Sequence, residues 1–202
     1  AIRDGTWKVW HPSFLLGRDL HQSTLGIIGL GNIGLQVAIR AKAFGMKMVY
    51  FQRNRRLDLE CSYGIEYVPS LETLLGLADF VTIHVPLTEQ TYYLIGQEEL
   101  NVMKKTAILI NTSRGPVVDQ KALLESLKIG LIAGAALDVF ETEPIDPNDS
   151  LLKLPNVIAT PHIGSASIAT RSKMALMAAE NLRCGVLGLS MPHCVNLESL
   201  SS

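Results

Sequence analysis

Several stretches of this 202-residue chain place reactive side chains just after an apolar run. Asn111-Thr112-Ser113-Arg114-Gly115 puts an arginine in a polar turn, where its fork can clamp a carboxylate through two parallel hydrogen bonds. Residues 136–144 supply Asp138, Glu141 and Glu143. Thr160-Pro161-His162-Ile163-Gly164-Ser165 supplies a histidine. Histidine exchanges protons near neutrality, and a neighbouring carboxylate favours the imidazolium and orients the ring. Spacing leaves Glu141 and Glu143 as competing candidates for that carboxylate. His84 also ends an apolar run and is read as a packing or loop-supporting residue. His11, His21 and His193 receive no chemical role.

A second constellation precedes these. In Thr24-Leu25-Gly26-Ile27-Ile28-Gly29-Leu30-Gly31-Asn32-Ile33-Gly34, an apolar run meets an amphipathic one through glycines spaced G-x-G-x-x-G. Gly29 permits a tight turn, Gly31 lets backbone approach a pyrophosphate, and Gly34 lets the following helix pack closely on its strand. The N–H groups and dipole of that helix attract the anion. An NAD-specific site would carry an acid about 20 residues further on. Here Tyr50-Phe51-Gln52-Arg53-Asn54-Arg55-Arg56 has no acid and several arginines. Arginine forks match phosphate geometry and keep their charge. A 2′-phosphate is therefore expected beside Arg53, Asn54 and Arg55, which favours NADP over NAD. Arg56 reads equally as a solvated surface charge.

Alternating strands and helices must position these residues. Strands are expected at 24–28, 47–51, 80–85, 107–111, 131–137 and 157–159. Helices are expected at 32–44, with Ile33, Val37, Ala38 and Ala41 inward, and at 71–77 behind a Ser70 cap. Others are expected at 97–103, at 119–129 behind Asp119, and at 167–187. The last is read as a closing helix with apolar Ile168, Met174, Leu176, Met177, Ala178 and Leu182. The strands are continuous apolar runs, which suits a sheet covered on both faces and hence mostly parallel. The expected architecture is α/β: a doubly wound, three-layer α/β/α domain with ligands at the carboxyl ends of the strands. The dinucleotide-binding domain is expected at 23–187. Residues 1–22 read as a linker or packing arm, and 188–202 as a tail.

Composition narrows the class. The chain is 48% hydrophobic and 18% charged with a net charge of −1, which gives no reason to expect a nucleic acid or a membrane surface as partner. No apolar run is long enough to span a bilayer. Cys61, Cys184 and Cys194 lie far apart without metal-site spacing, so no metal is expected and a reducing, cytoplasmic setting fits.

Taken in order, the glycine motif, His84-Val85-Pro86-Leu87-Thr88, the Asn111–Gly115 motif, Leu137-Asp138-Val139-Phe140 with Glu143-Pro144, and Thr160–Ser165 closely resemble the D-isomer-specific 2-hydroxyacid dehydrogenases. The arginine-bearing second strand is most similar to the glyoxylate and hydroxypyruvate reductases. The resemblance implies that Arg114 binds substrate, that Glu143, directly before proline, is the catalytic glutamate, and that His162 is the acid/base. It implies that Asp138 binds the nicotinamide carboxamide and that Leu30, Gly31, Asn32 and Ile33 form the pyrophosphate loop. Val85, Pro86, Thr112 and Gly164 would belong to the cofactor cleft. The implied reaction is hydride transfer from NADPH to a 2-oxo acid such as glyoxylate or hydroxypyruvate. A phosphoglycerate dehydrogenase-like NAD enzyme and a dinucleotide-regulated corepressor are the alternatives. The family's substrate domain lies largely ahead of the glycine motif, whereas only 28 residues precede Gly29 here. The chain therefore reads as the cofactor domain alone, expected to bind cofactor and turn over weakly. Dimerisation through this domain, near Trp7 and Trp10, is also implied.

Overall fold

In the computed structural model, which describes residues 1–196, the apolar runs form seven strands in one sheet, ordered β3-β2-β1-β4-β5-β6-β7. They are β1 (Thr24–Ile28), β2 (Lys47–Phe51), β3 (Glu66–Tyr67), β4 (Phe80–Ile83), β5 (Ile108–Asn111), β6 (Gly134–Leu137) and β7 (Val157–Ala159). Every pairing is parallel. The order reverses between β1 and β4, the arrangement of a doubly wound Rossmann sheet, whose ligands sit beyond the carboxyl ends at that switch point.

Register explains why residues far apart in sequence meet there. Ile28 pairs with Phe51 on one side and with Ile83 on the other. Ile83 pairs with Asn111, Asn111 with Leu137, and Leu137 with Ala159. These six residues form one row across the sheet. The residues that follow each of them are Gln52, Gly29, His84, Thr112, Asp138 and Thr160, so the polar edge is built by strand register.

Helices cover both faces. Ala38 and Ala41 of α1 (Asn32–Ala43) and Leu59 of α2 (Leu57–Tyr63) pack with Leu25, Ile27, Met48 and Tyr50. On the other face, α3 (Leu71–Leu77), α4 (Gln97–Val102) and α5 (Gln120–Lys128) bring Leu74, Leu100 and Leu123 against Ile28, Val81, Ile83 and Leu109. Ser70 Oγ accepts from Thr73 N–H at 3.1 Å and Asp119 Oδ1 from Ala122 N–H at 2.9 Å, so both expected caps start their helices.

Two expectations change, and one segment with no expected element folds. Ile33 is 69% exposed rather than inward, because Gly34 is the α1 residue that meets the sheet. The segment after the arginines folds as α2 and the two-residue β3, elements too short to show a period. The helix expected at 167–187 forms as α6 (Ile168–Val186), but Ile168, Met174, Leu176 and Leu182 are exposed. The chain divides into a compact unit Ala1–Pro161 and a second that begins at His162 and contains α6. Of the expected tail, residues 197–202 lie outside the described residues. Among the described residues no helix is long and apolar enough to cross a membrane.

Candidate functional site

A cleft of about 440 Å³ opens where β1, β2 and β4 end, lined by Gly29, Gly31, Gln52, Arg53, Asn54, His84, Val85 and Pro86 among others. Gly29 makes the turn at φ 92°, and a Cβ there would lie 2.9 Å from His84 O and Val85 Cγ1. Only glycine takes that conformation without strain. A Cβ on Gly34 would lie 2.3 Å from Gly29 O, so α1 abuts the turn it grows from. At Gly31 an added Cβ would meet nothing within 4 Å. The Leu35 N–H is bonded to Gly31 O at 2.9 Å, which leaves the amides of Asn32, Ile33 and Gly34 at the open helix start. The turn thus offers donors beside free space, a suitable seat for a pyrophosphate.

Leu30 lies in the turn between β1 and α1. Its side chain is fully buried, and its N–H donates to Gln52 Oε1 at 2.9 Å. Gln52 stands where an NAD site would carry its acid. Its side-chain amide also donates to Asn54 O. It therefore ties the glycine turn to the arginine-bearing loop, a role the sequence reading missed.

The arginines separate. Arg53 and Asn54 line the cleft. Arg55 does not: its fork is engaged with Glu60 through contacts of 2.9, 3.2 and 2.7 Å, and its guanidinium lies 5.3 Å from the Tyr67 ring centroid. Those donors hold the Glu60 carboxyl below the usual carboxylate range. Tyr50 completes the network, donating from its hydroxyl to Glu60 Oε1 at 2.7 Å and accepting Arg56 N–H at 2.7 Å. Arg56 pairs with Asp58 at 2.9 Å. Of the residues expected around a 2′-phosphate, Arg53 and Asn54 thus line the cleft, while Arg55 is held by a carboxylate from α2.

His84 ends β4 with Nε2 2.9 Å from Thr82 Oγ1. Burial pulls its pKa below the usual histidine value, and the ring lines the cleft. That agrees with a packing and loop-supporting role.

Beyond β5, buried Asn111 shapes the turn that carries Arg114. Its Oδ1 accepts from Ser113 N–H at 3.0 Å, and its Nδ2 donates to Arg114 O at 3.0 Å. Arg114 itself is exposed, with Nη1 donating to Ser113 O at 2.6 Å. Thr112, next in the row, is exposed. Asp138 is buried at the end of β6 and accepts from Thr160 Oγ1 at 2.5 Å. Thr160, at the end of β7, is a second residue whose role spacing did not disclose.

The two competing glutamates differ in surroundings. Glu141 Oε1 accepts Gln120 N–H at 2.8 Å at the start of α5, and Gln120 Oε1 accepts Glu141 N–H at 3.3 Å. Glu143 is exposed, and its Oε1 accepts Phe140 N–H at 3.0 Å. His162 opens the second unit with φ 52°. Left-handed backbone in a non-glycine residue concentrates at functional sites. Gly164 lies in the same unit.

The model of the D-isomer specific 2-hydroxyacid dehydrogenase NAD binding domain matches residues 1–164. A glyoxylate reductase of Korarchaeum cryptofilum is 59% identical over 198 residues, covering 98% of this chain and 59% of that protein. The glyoxylate reductase of Thermococcus litoralis is 51% identical over 205 residues, covering 100% of this chain and 61% of that protein. The crystal structure of the TT0316 protein from Thermus thermophilus superposes with a TM-score of 0.90 at 48% identity, covering 96% of this chain and 60% of that one. The chain thus spans about three-fifths of the relatives it matches.

Proposed function

Because the chain belongs to the D-isomer-specific 2-hydroxyacid dehydrogenase family, we propose that it is the cofactor-binding part of a reductase acting on a small 2-oxo acid with NADPH. Its branch is that of the glyoxylate reductases, and glyoxylate or hydroxypyruvate is the substrate we assign. The observation that carries the cofactor choice is the end of β2, where Gln52 replaces an acid and Arg53 faces the cleft.

The residues present fit a nicotinamide dinucleotide: open space at Gly31, donors at the start of α1, and a cation at the mouth. When bound, that group supplies the hydride and the reducing electrons. The rest falls to the chain. Gly31, Asn32, Ile33 and Gly34 hold the pyrophosphate, and Arg53 with Asn54 holds the 2′-phosphate. Val85, Pro86, Thr112 and Gly164 border the bound dinucleotide. Asp138, kept in place by Thr160, accepts from the carboxamide. Arg114 grips the substrate carboxylate and polarises the carbonyl next to it. His162 donates a proton to the carbonyl oxygen as negative charge develops there, and Glu143 stabilises and orients its imidazolium. The double engagement of Glu141 with Gln120 supports Glu143 for this task.

In the same reading, residues 23–187 form the dinucleotide-binding domain, and 1–22 and 188–202 are its connections to a substrate domain. The protein works as a cytoplasmic homodimer through this domain, with exposed Trp7 and Trp10 near the contact. Light scattering should give the mass of two chains, and a monomer at high concentration would count against the dimer. The decisive experiment is a 2-oxo acid panel on the full-length protein with NADPH and NADH. Reduction of glyoxylate or hydroxypyruvate that disappears in His162→Ala is expected. No turnover of any 2-oxo acid would refute the assignment.

A further inference from the structure

Arg114 and Glu143 come from different connections, yet one stretch of backbone joins them. A Cβ on Gly115 would lie 1.9 Å from both the carbonyl carbon and the oxygen of Phe140, and 2.5 Å from Glu141 N. The Arg114–Gly115 turn therefore lies flush against the Phe140–Glu141 peptide. The space is closed by backbone, which no side-chain rotation can relieve.

The same peptide is held a second time by the residue that begins α5. Gln120 N–H donates to Glu141 Oε1 at 2.8 Å, and Gln120 Oε1 accepts Glu141 N–H at 3.3 Å. Its Nε2 reaches Asp149 Oδ2 at 3.3 Å, on the far side of the Glu143 connection. Phe140 N–H then donates to Glu143 Oε1 at 3.0 Å. A chain of contacts thus runs from the turn bearing Arg114, through the backbone of Phe140 and Glu141, to the Glu143 carboxylate. Asp119 satisfies Ala122 N–H and Glu141 satisfies Gln120 N–H, so the start of α5 is tied to the connection that carries Glu143.

We infer that Gly115 and Gln120 are positioning residues that set Glu143 relative to Arg114 by clamping the Phe140–Glu141 peptide. The inference rests on the proposed reaction, in which Arg114 and Glu143 serve one substrate. Neither Gly115 nor Gln120 acts on the substrate itself. Their effect passes through backbone placement, where a shift of about 1 Å can cost on the order of 100-fold in rate.

The test is single-turnover oxidation of NADPH by a 2-oxo acid on the full-length protein, comparing Gln120→Ala and Gly115→Ala with Glu143→Gln. Amplitude reports the folded, competent fraction, and the rate constant reports the site. Gln120→Ala should lower the rate constant about tenfold, and Gly115→Ala on the order of 100-fold, with NADPH affinity within about twofold of the parent. If Gly115→Ala does not fold, Gln120→Ala decides alone. A parental rate constant at reduced amplitude or melting temperature would mean a purely structural role and overturn the inference. If Glu143→Gln slows the step and Gln120→Ala does not, the clamp fails and the reaction stands. If Glu143→Gln itself has no effect, the assigned reaction falls and the inference falls with it.

Discussion

Arg53→Ala isolates the cofactor preference. Three neighbouring arginines look equivalent in sequence, but the structure leaves one aimed at the cleft. Arg55 gives three contacts to Glu60 and Arg56 two to Asp58. Among the described residues Arg53 makes no such bond, and it lines the cleft beside Gly31. A hydrogen bond to a charged group is worth roughly 1.5–3 kcal/mol, and Arg53 is exposed, so screening takes it toward the lower end. About 1.4 kcal/mol corresponds to tenfold in Kd. Calorimetric titration of the 202-residue chain should show NADPH binding weakened about tenfold by Arg53→Ala and NADH binding unchanged. Arg55→Ala should change NADPH affinity much less, because its fork is committed to α2. The NADPH advantage should also shrink as ionic strength rises. Equal losses for both cofactors, or a larger loss in Arg55→Ala, would refute the assignment of the 2′-phosphate to Arg53.

Two further substitutions test the frame of the site. Gly29→Ala forces a side chain into φ 92° and toward His84 O; it should cost about 1–3 kcal/mol in denaturant unfolding and weaken NADPH and NADH alike. Asp79 accepts from Thr24 N–H at 2.9 Å and pairs with Lys104 at 3.1 Å and Arg18 at 3.2 Å. Burial pushes its carboxyl up, but the Thr24 amide, Lys104 and Arg18 together bring it below the usual range. A lowered folded pKa gives stability that is present above about pH 4 and is lost as pH falls through the folded value. Asp79→Asn should therefore unfold more easily by about 1–3 kcal/mol at neutral pH, with the gap to the parent closing in acid; a gap independent of pH would refute the charge argument.

The sheet was legible because its strands are long apolar runs ended by glycine or polar residues, and because Ser70 and Asp119 mark helix starts through their own side chains. The glycine turn was legible residue by residue: Gly29, Gly31 and Gly34 each meet a distinct steric condition. What escaped the sequence lies in pairings between connections. Leu30 reads as a loop residue until Gln52 is seen holding its N–H, and no local pattern links positions 22 residues apart. The Arg55–Glu60 pair is invisible in sequence because α2, which brings Glu60 to it, is too short to show a period. The buried Asn111, with Ser113 two residues on, did carry a local signal, since such spacing favours a side-chain-to-backbone turn.

Glu141 and Glu143 show what decides between two similar carboxylates. Both follow β6 and precede the same proline, so composition and spacing cannot rank them. Register places Asp138 immediately after Leu137 in the row that Asn111 continues, and the connection beyond must cross the start of α5. At that crossing Gln120 meets Glu141 twice, once at its carboxylate and once at its backbone N–H. The first glutamate is drawn into holding the connection, and the second lies exposed further along it with Oε1 accepting Phe140 N–H at 3.0 Å. The division of labour follows from where a helix begins on the neighbouring strand connection. Backbone packing therefore supports Glu143 over Glu141 for the carboxylate role proposed above.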